Sequence, residues 1–192
     1  MAKSIASSSA PPPPGARQRI LLTAHDLFYR DGIRATGVDR VIAESGVAKL
    51  TFYRHFPSKN DLVRAFLEHR HQRWMDWFST ALQRHGGTLR ALAPTLAEWF
   101  NHPDYRGCAF INTVGELGGD LPDVLEIARN HKAAMASAIA ALLPDSADKA
   151  DLASALAVAV DGAIIRAQYD PGPEASISAI AALERIVAAL TR

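Results

Sequence analysis

Between Val47 and Lys59 the chain gathers Lys49, Thr51, Tyr53, Arg54, His55 and Lys59, with Phe52 and Phe56 four apart among them. On a helix the two phenylalanines share one face. The remaining side chains then occupy the other face, together with one apolar residue, Leu50. Cations and hydroxyls suit phosphate oxygens, and long donors or an exposed apolar group suit base edges in a DNA major groove. The chemistry implied is recognition of a duplex rather than turnover.

The elements that must hold this surface are legible nearby. A short helix is expected over Val38 to Ser45, with Val41 and Ile42 turned inward. Thr36 stands where it can cap that helix, with Asp39 three positions on, as in a weak capping box. Gly46 provides the reversal, because a missing Cβ permits positive φ. Val47 then anchors the second helix. Two short helices joined this way fit the geometry of a helix-turn-helix.

The order G-V-x-K-x-T-[apolar]-Y-x-H-F-x-x-K runs without gaps from Gly46 to Lys59, ten residues after Thr36. It resembles the helix-turn-helix of the TetR family of one-component bacterial regulators. The likeness is strong from about Arg17 to Trp74 and only architectural beyond. It implies an all-α, nine-helix TetR-like architecture: a three-helix DNA-binding bundle and a helical ligand-binding and dimerisation domain. The boundaries expected are a disordered tail over 1–15, the helix-turn-helix domain over 16–60 and the second domain over 61–192. The DNA-binding set expected is Thr36, Lys49, Leu50, Thr51, Tyr53, His55 and Lys59. The resemblance implies phosphate contacts for Tyr53, His55 and Lys59, and Lys49 and Leu50 face the base edges. Leu50 departs from the family's usual small residue. Either it meets a thymine methyl or it is an exposed side chain with no role.

Composition agrees with a folded domain. The 192 residues are 48% hydrophobic and 21% charged, which is ordinary for a globular chain. No apolar run reaches the ~18 residues of a membrane span. The opening MAKSIASSSAPPPPG has one Lys and no apolar stretch, so it reads as a polyproline-like tail rather than a secretory signal. The single Cys108 excludes an internal disulfide, suits a cytoplasmic location and is expected to be a small buried hydrophobe. Charge is uneven: residues 1–57 hold eight basic and four acidic groups, whereas the rest holds thirteen and sixteen. The basic part is the part with the helix-turn-helix.

Elsewhere the apolar period is helical, with no strict alternation typical of strands. Ile20, Ala24, Leu27 and Phe28 mark a first helix closed by Gly32. A long fourth helix is expected from Lys59 to His85, a fifth over Thr88 to Asn101 with Pro94 as a point of kinking, and a sixth over Cys108 to Leu117. A seventh is expected from a cap at Asp120 to Leu143, an eighth from Ala147 to Tyr169 and a ninth from Glu174 to Leu190.

The last two helices are apolar on more than one side, so both sides need cover. A homodimer interface is expected there, with Leu156, Val160, Ile164, Ile177, Ile180 and Ala181 in it. Rings cluster at Trp74, Trp77, Trp99 and Phe110, with Asn112, Glu116 and His131 as polar exceptions. These predict a cavity between the fourth and seventh helices for a small apolar or aromatic effector; the alternative is that the rings are core. There is no GxGxxG, no Walker loop, no HExxH and no paired-Cys pattern. No cofactor, metal or enzymatic activity is therefore expected. The functional expectation is a repressor, bound as a homodimer to double-stranded, palindromic operator DNA and released by the effector. The alternatives are an activator of the same build, or a dimeric helical binding protein that has lost operator binding.

Overall fold

The computed structural model describes residues 14–169 and 173–191. The polyproline-like stretch falls almost wholly on 1–13, outside the described residues. Among the described residues there are nine α-helices and no strand: α1 Ala16–Asp31, α2 Val38–Ser45, α3 Lys49–His55, α4 Lys59–Arg84, α5 Leu92–Phe100, α6 Ala109–Leu117, α7 Asp123–Ala140, α8 Lys149–Tyr169 and α9 Pro173–Leu190.

Most helix ends follow from local chemistry. Gly32 closes α1 at φ 90°, and Gly46 closes α2 at φ 64° in the left-handed region, where a Cβ is unfavourable. Ser58 caps α4: its hydroxyl accepts from the Asp61 amide at 3.1 Å and donates to the Asp61 carboxylate at 2.6 Å.

Three boundaries differ from expectation. Thr36 does not cap α2; Gly37 holds that position, and the buried Thr36 hydroxyl donates to the Gly32 carbonyl at 2.7 Å. Pro94 does not interrupt α5, because it is the third residue of that helix, where an amide proton has no partner within the helix. Asp120 does not cap α7. The Leu121 amide instead bonds back to the Leu117 carbonyl at 2.8 Å, and Pro122 sits at the helix entry, where its fixed φ is an advantage.

The core is one continuous apolar cluster. In the first three helices Ile20, Leu27, Phe28, Val41, Phe52 and Phe56 are buried. Helix α4 carries this core onward: Leu62 and Phe66 meet α1, and Trp74 and Phe78 continue into the larger bundle. Cys108 is buried as expected.

His131 is the least ordinary core residue. Its ring stacks on Phe110 at 3.7 Å between centroids, and its Nδ1 lies 3.1 Å from Nδ1 of His71. Burial, reinforced by Lys132, His71 and Arg70, pushes its pKa down to about 2. It is therefore neutral when folded, whereas an unfolded histidine titrates near ~6.5. Below that value the unfolded chain binds the extra proton, so stability is complete above ~6.5 and falls on acidification by about 1.4 kcal/mol per pH unit. Thermal unfolding is expected to shift down between about pH 7.5 and about pH 5, with a shallower pH slope in His131→Gln. An unchanged slope in that variant would contradict the assignment.

Candidate nucleic-acid interface and ligand cleft

Helix α3 is fixed from beneath by Phe52 and Phe56, which are 0% and 2% exposed. Its other face is open. Leu50 is 83% exposed and Tyr53 40%, with Lys49 and Arg54 also exposed and Thr51 and His55 half-buried. Lys49 lies 3.5 Å from Asp39, both side chains being mostly in water. Such a pair is weak and can exchange its carboxylate for a phosphate. Arg17 of α1 sits over the Phe56 ring at 5.1 Å, and Arg19 Nε donates to the Ser45 carbonyl at 3.4 Å. Two further cations thus stand beside the turn. Sequence reasoning did not place them in the site, although both belong to the basic excess of residues 1–57.

Two expected members lie off this face. Thr36 is completely buried, so its side chain fixes the turn after α1 and presents nothing to a duplex. Lys59 is half-buried, and its ammonium donates to the Ile33 carbonyl at 2.6 Å. Burial lowers its pKa, partly offset by Glu116. One of its three protons is thus committed within the chain.

Glu116, expected as an anchor for the effector, has a different position. Its carboxylate accepts the Ile33 amide at 3.2 Å and the Arg34 amide at 2.7 Å. Arg34 Nε returns a bond to the Glu116 carbonyl at 2.7 Å, and its guanidinium also pairs with Asp120. Helix α6 is therefore stapled to the loop between α1 and α2. A second link joins α4 to α7, where Arg64 meets Asp123 at 2.8 Å.

The space between α4 and α7 does not hold the expected cavity. Phe110 and His131 stack there with Trp74, leaving about 10 Å³, room for no more than one water. An open cleft of about 510 Å³ lies instead among α1, α4, α5 and the loop after α5, a size suited to a small molecule. Trp74, Trp77 and Trp99 line it; Phe110 and His131 do not. The three indoles form a triangle with centroids 5.5 to 6.1 Å apart. The sequence reading missed Arg70 and Arg73, which share the cleft. Their spacing from Trp74 and Trp77 on one helix was the available signal. Asn112 and Glu116 line a separate recess between α1 and α6, where Asn112 accepts from Gln168 at 3.2 Å and donates to the Arg106 carbonyl at 2.9 Å.

The dimer stripe also needs revision. Leu156, Val160 and Ile164 are at most 1% exposed and belong to the protomer's own core. The outward stripe of α8 is Ala155, Val158, Gly162 and Tyr169, with Val158 70% and Tyr169 74% exposed. On α9, Ile177 is 68% exposed, Ala181 is exposed and Ile180 half-buried. No group of three or more potential metal ligands occurs among the described residues. No described helix is long and apolar enough to cross a membrane.

Residues 20–66 match the family described as "Bacterial regulatory proteins, tetR family". A helix-turn-helix-type transcriptional regulator of Staphylococcus aureus (strain USA300) is 39% identical over 64 residues, which are 33% of this chain and 32% of that protein. The chain thus spans about a third of the length of the curated relatives it matches. A TetR-family transcriptional regulator from Streptomyces coelicolor superimposes with a TM-score of 0.79 at 28% identity, over 92% of this chain and 96% of that one. A TetR-family regulator from Cytophaga hutchinsonii shares the fold with a TM-score of 0.75 at 18% identity, over 90% and 93% of the two chains.

Proposed function

The chain belongs to the TetR family of bacterial regulatory proteins, and we propose that it is a homodimeric transcriptional repressor released from a palindromic operator by a small aromatic effector. The observation that supports this most is the open face of α3. Lys49, Leu50, Tyr53 and Arg54 stand clear of the core on a helix held from the opposite side by the buried Phe52. Lys49 and Leu50, at the start of that helix, are the base readers; Tyr53, Arg54 and His55, with Arg17 and Arg19, hold phosphates. Replacing Lys49 or Leu50 by Ala is expected to cost about 1–3 kcal/mol and to relax preference at one position in each half-site. Selection from randomised duplexes reads this directly, and a uniform loss across all sequences would contradict the assignment.

The domain over 16–60 then reads DNA, and the domain over 61–192 meets the partner protomer and supplies most of the effector cleft, whose remaining wall is α1. The effector enters the cleft beside α1 and α4. Release requires that it bind the DNA-incompetent arrangement more tightly. The link between the two parts is the staple from Glu116 to Ile33 and Arg34. Glu116→Ala leaves the Ile33 and Arg34 amides without their carboxylate and loosens α6 from the loop, with only the Arg34 bonds to the residue 116 carbonyl and Asp120 remaining. It is expected to weaken the ligand's effect on operator affinity by about 1–2 kcal/mol while leaving ligand affinity for the DNA-free protein nearly unchanged. Equal ligand response in the variant would remove Glu116 from the route.

Transcription from the gene's own upstream region tests the direction of control. A repressor predicts higher output when the chain is deleted; lower output marks an activator. No change, with no duplex retained in a gel shift, marks a binding protein that has lost its operator.

A further inference from the structure

The cleft among α1, α4 and α5 is not merely aromatic. Four arginines reach it, but their situations differ. Arg30 is already bidentate on Asp31 at 2.8 and 2.9 Å. Arg106 donates to the Pro103 and Tyr105 carbonyls at 3.0 and 2.7 Å. Arg70 and Arg73, one turn apart on α4, have no carboxylate partner among the described residues. Arg70 lies over the Tyr29 ring at 4.0 Å, half-buried.

The acidic groups of the cleft are better satisfied. Glu98 accepts from Arg84 at 2.9 and 3.0 Å and from Trp77 Nε1 at 3.3 Å. Asp26 accepts from His25 Nδ1 at 2.9 Å. Asp104 lies at the rim with its side chain 83% exposed, so its carboxylate is met by water. The charge left without a counterpart in the cleft is therefore positive.

Trp74 and His25, each 6% exposed, form the packed back of the cleft. Burial also lowers the pKa of Arg70, so an anion beside it would favour its charged form.

Resting on the reading of this cleft as the effector site, we propose that its ligand is an aromatic carboxylate. The ring packs against the open side of the indole cluster of Trp74, Trp77 and Trp99, and the carboxylate meets Arg70 and Arg73. The sequence suggested an apolar or aromatic effector; the arginine pair adds the charge and hence the orientation.

Three ligands of one ring size separate the charge from the ring: 1-naphthoate, 1-naphthalenemethanol and 1-naphthylmethylamine. Each is titrated into the full chain without DNA, by calorimetry and tryptophan quenching. The carboxylate is expected to bind about ten- to a hundredfold more tightly than the alcohol, with the amine weakest, and the advantage should shrink with added salt. Arg70→Gln and Arg73→Gln, with helical content checked by circular dichroism, should each lower naphthoate affinity about tenfold or more and leave the alcohol unaffected. Alcohol or amine binding as tightly as naphthoate overturns the proposal. So does naphthoate affinity unchanged in both folded variants, or no naphthoate binding at millimolar concentration. The titration involves no operator, so these failures leave DNA binding standing. Tight naphthoate binding without operator release would sink the effector role and keep the ligand class.

Discussion

An Ile177→Glu chain is expected to be folded, monomeric and at least about a hundredfold weaker in binding its operator, since joining two half-site readers raises effective affinity by 10²–10⁴ without new contacts. Ile177 is 68% exposed on α9, and Val158 and Tyr169 are likewise exposed on α8, the helix that packs on it. In a lone protomer a carboxylate there meets water and costs little. In a dimer it is buried without a partner, at a cost of several kcal/mol. Dissociation therefore comes without unfolding. Val160→Glu serves as the contrast: Val160 is fully buried within the protomer, so the same change should unfold the chain. Sedimentation with circular dichroism distinguishes the two. A folded Ile177→Glu dimer with unchanged operator affinity would contradict the proposed interface.

Phe52→Ala is expected to abolish operator binding by loosening α3 itself. Phe52 is completely buried, packs on Phe56 at 6.2 Å between centroids and is the one side chain of α3 that is buried. Removing such a ring costs about 3–5 kcal/mol, a large part of the 5–15 kcal/mol typical of a whole domain. A seven-residue helix cannot persist without its packing. The measurable outcome is a lower melting temperature and loss of both specific and non-specific DNA binding, although no DNA-facing side chain has been changed. Intact affinity in the variant would show that α3 is held by something other than its buried face.

Much of the fold was readable because its signals are local. Gly32, Gly46 and Ser58 set helix ends within a few residues of themselves, and the period of Phe52 and Phe56 fixed which side of α3 is buried. What was not readable depends on contacts distant in sequence. Helix α8 is apolar on two sides, so periodicity could not decide whether Leu156 and Val160 or Val158 and Gly162 face the protomer's own core. Glu116 and Ile33 are joined by a hydrogen bond across 83 positions, and neither carries a local sign of it. Likewise the aromatic cluster was plain, but the side on which it opens was not. Phe110 and Trp74 close on His131, and the open side of the indole cluster lies toward Arg70 and Arg73. Thr36 was misplaced because a hydroxyl before a helix has two uses. It caps the helix, or it bonds back into the preceding turn, and the burial of the loop selects the second.

The most direct measurement is the binding of the chain to labelled duplex from its own upstream region, beside a shuffled duplex of equal composition, followed by fluorescence anisotropy across a salt series. Two protomers per site are expected, with a preference for the upstream duplex of about a thousandfold or more. The log–log salt slope should become less steep when Arg54 or Arg17 is replaced by Ala. Equal affinity for the two duplexes, or saturation by a single protomer, would contradict the proposed binding of an operator by a homodimer.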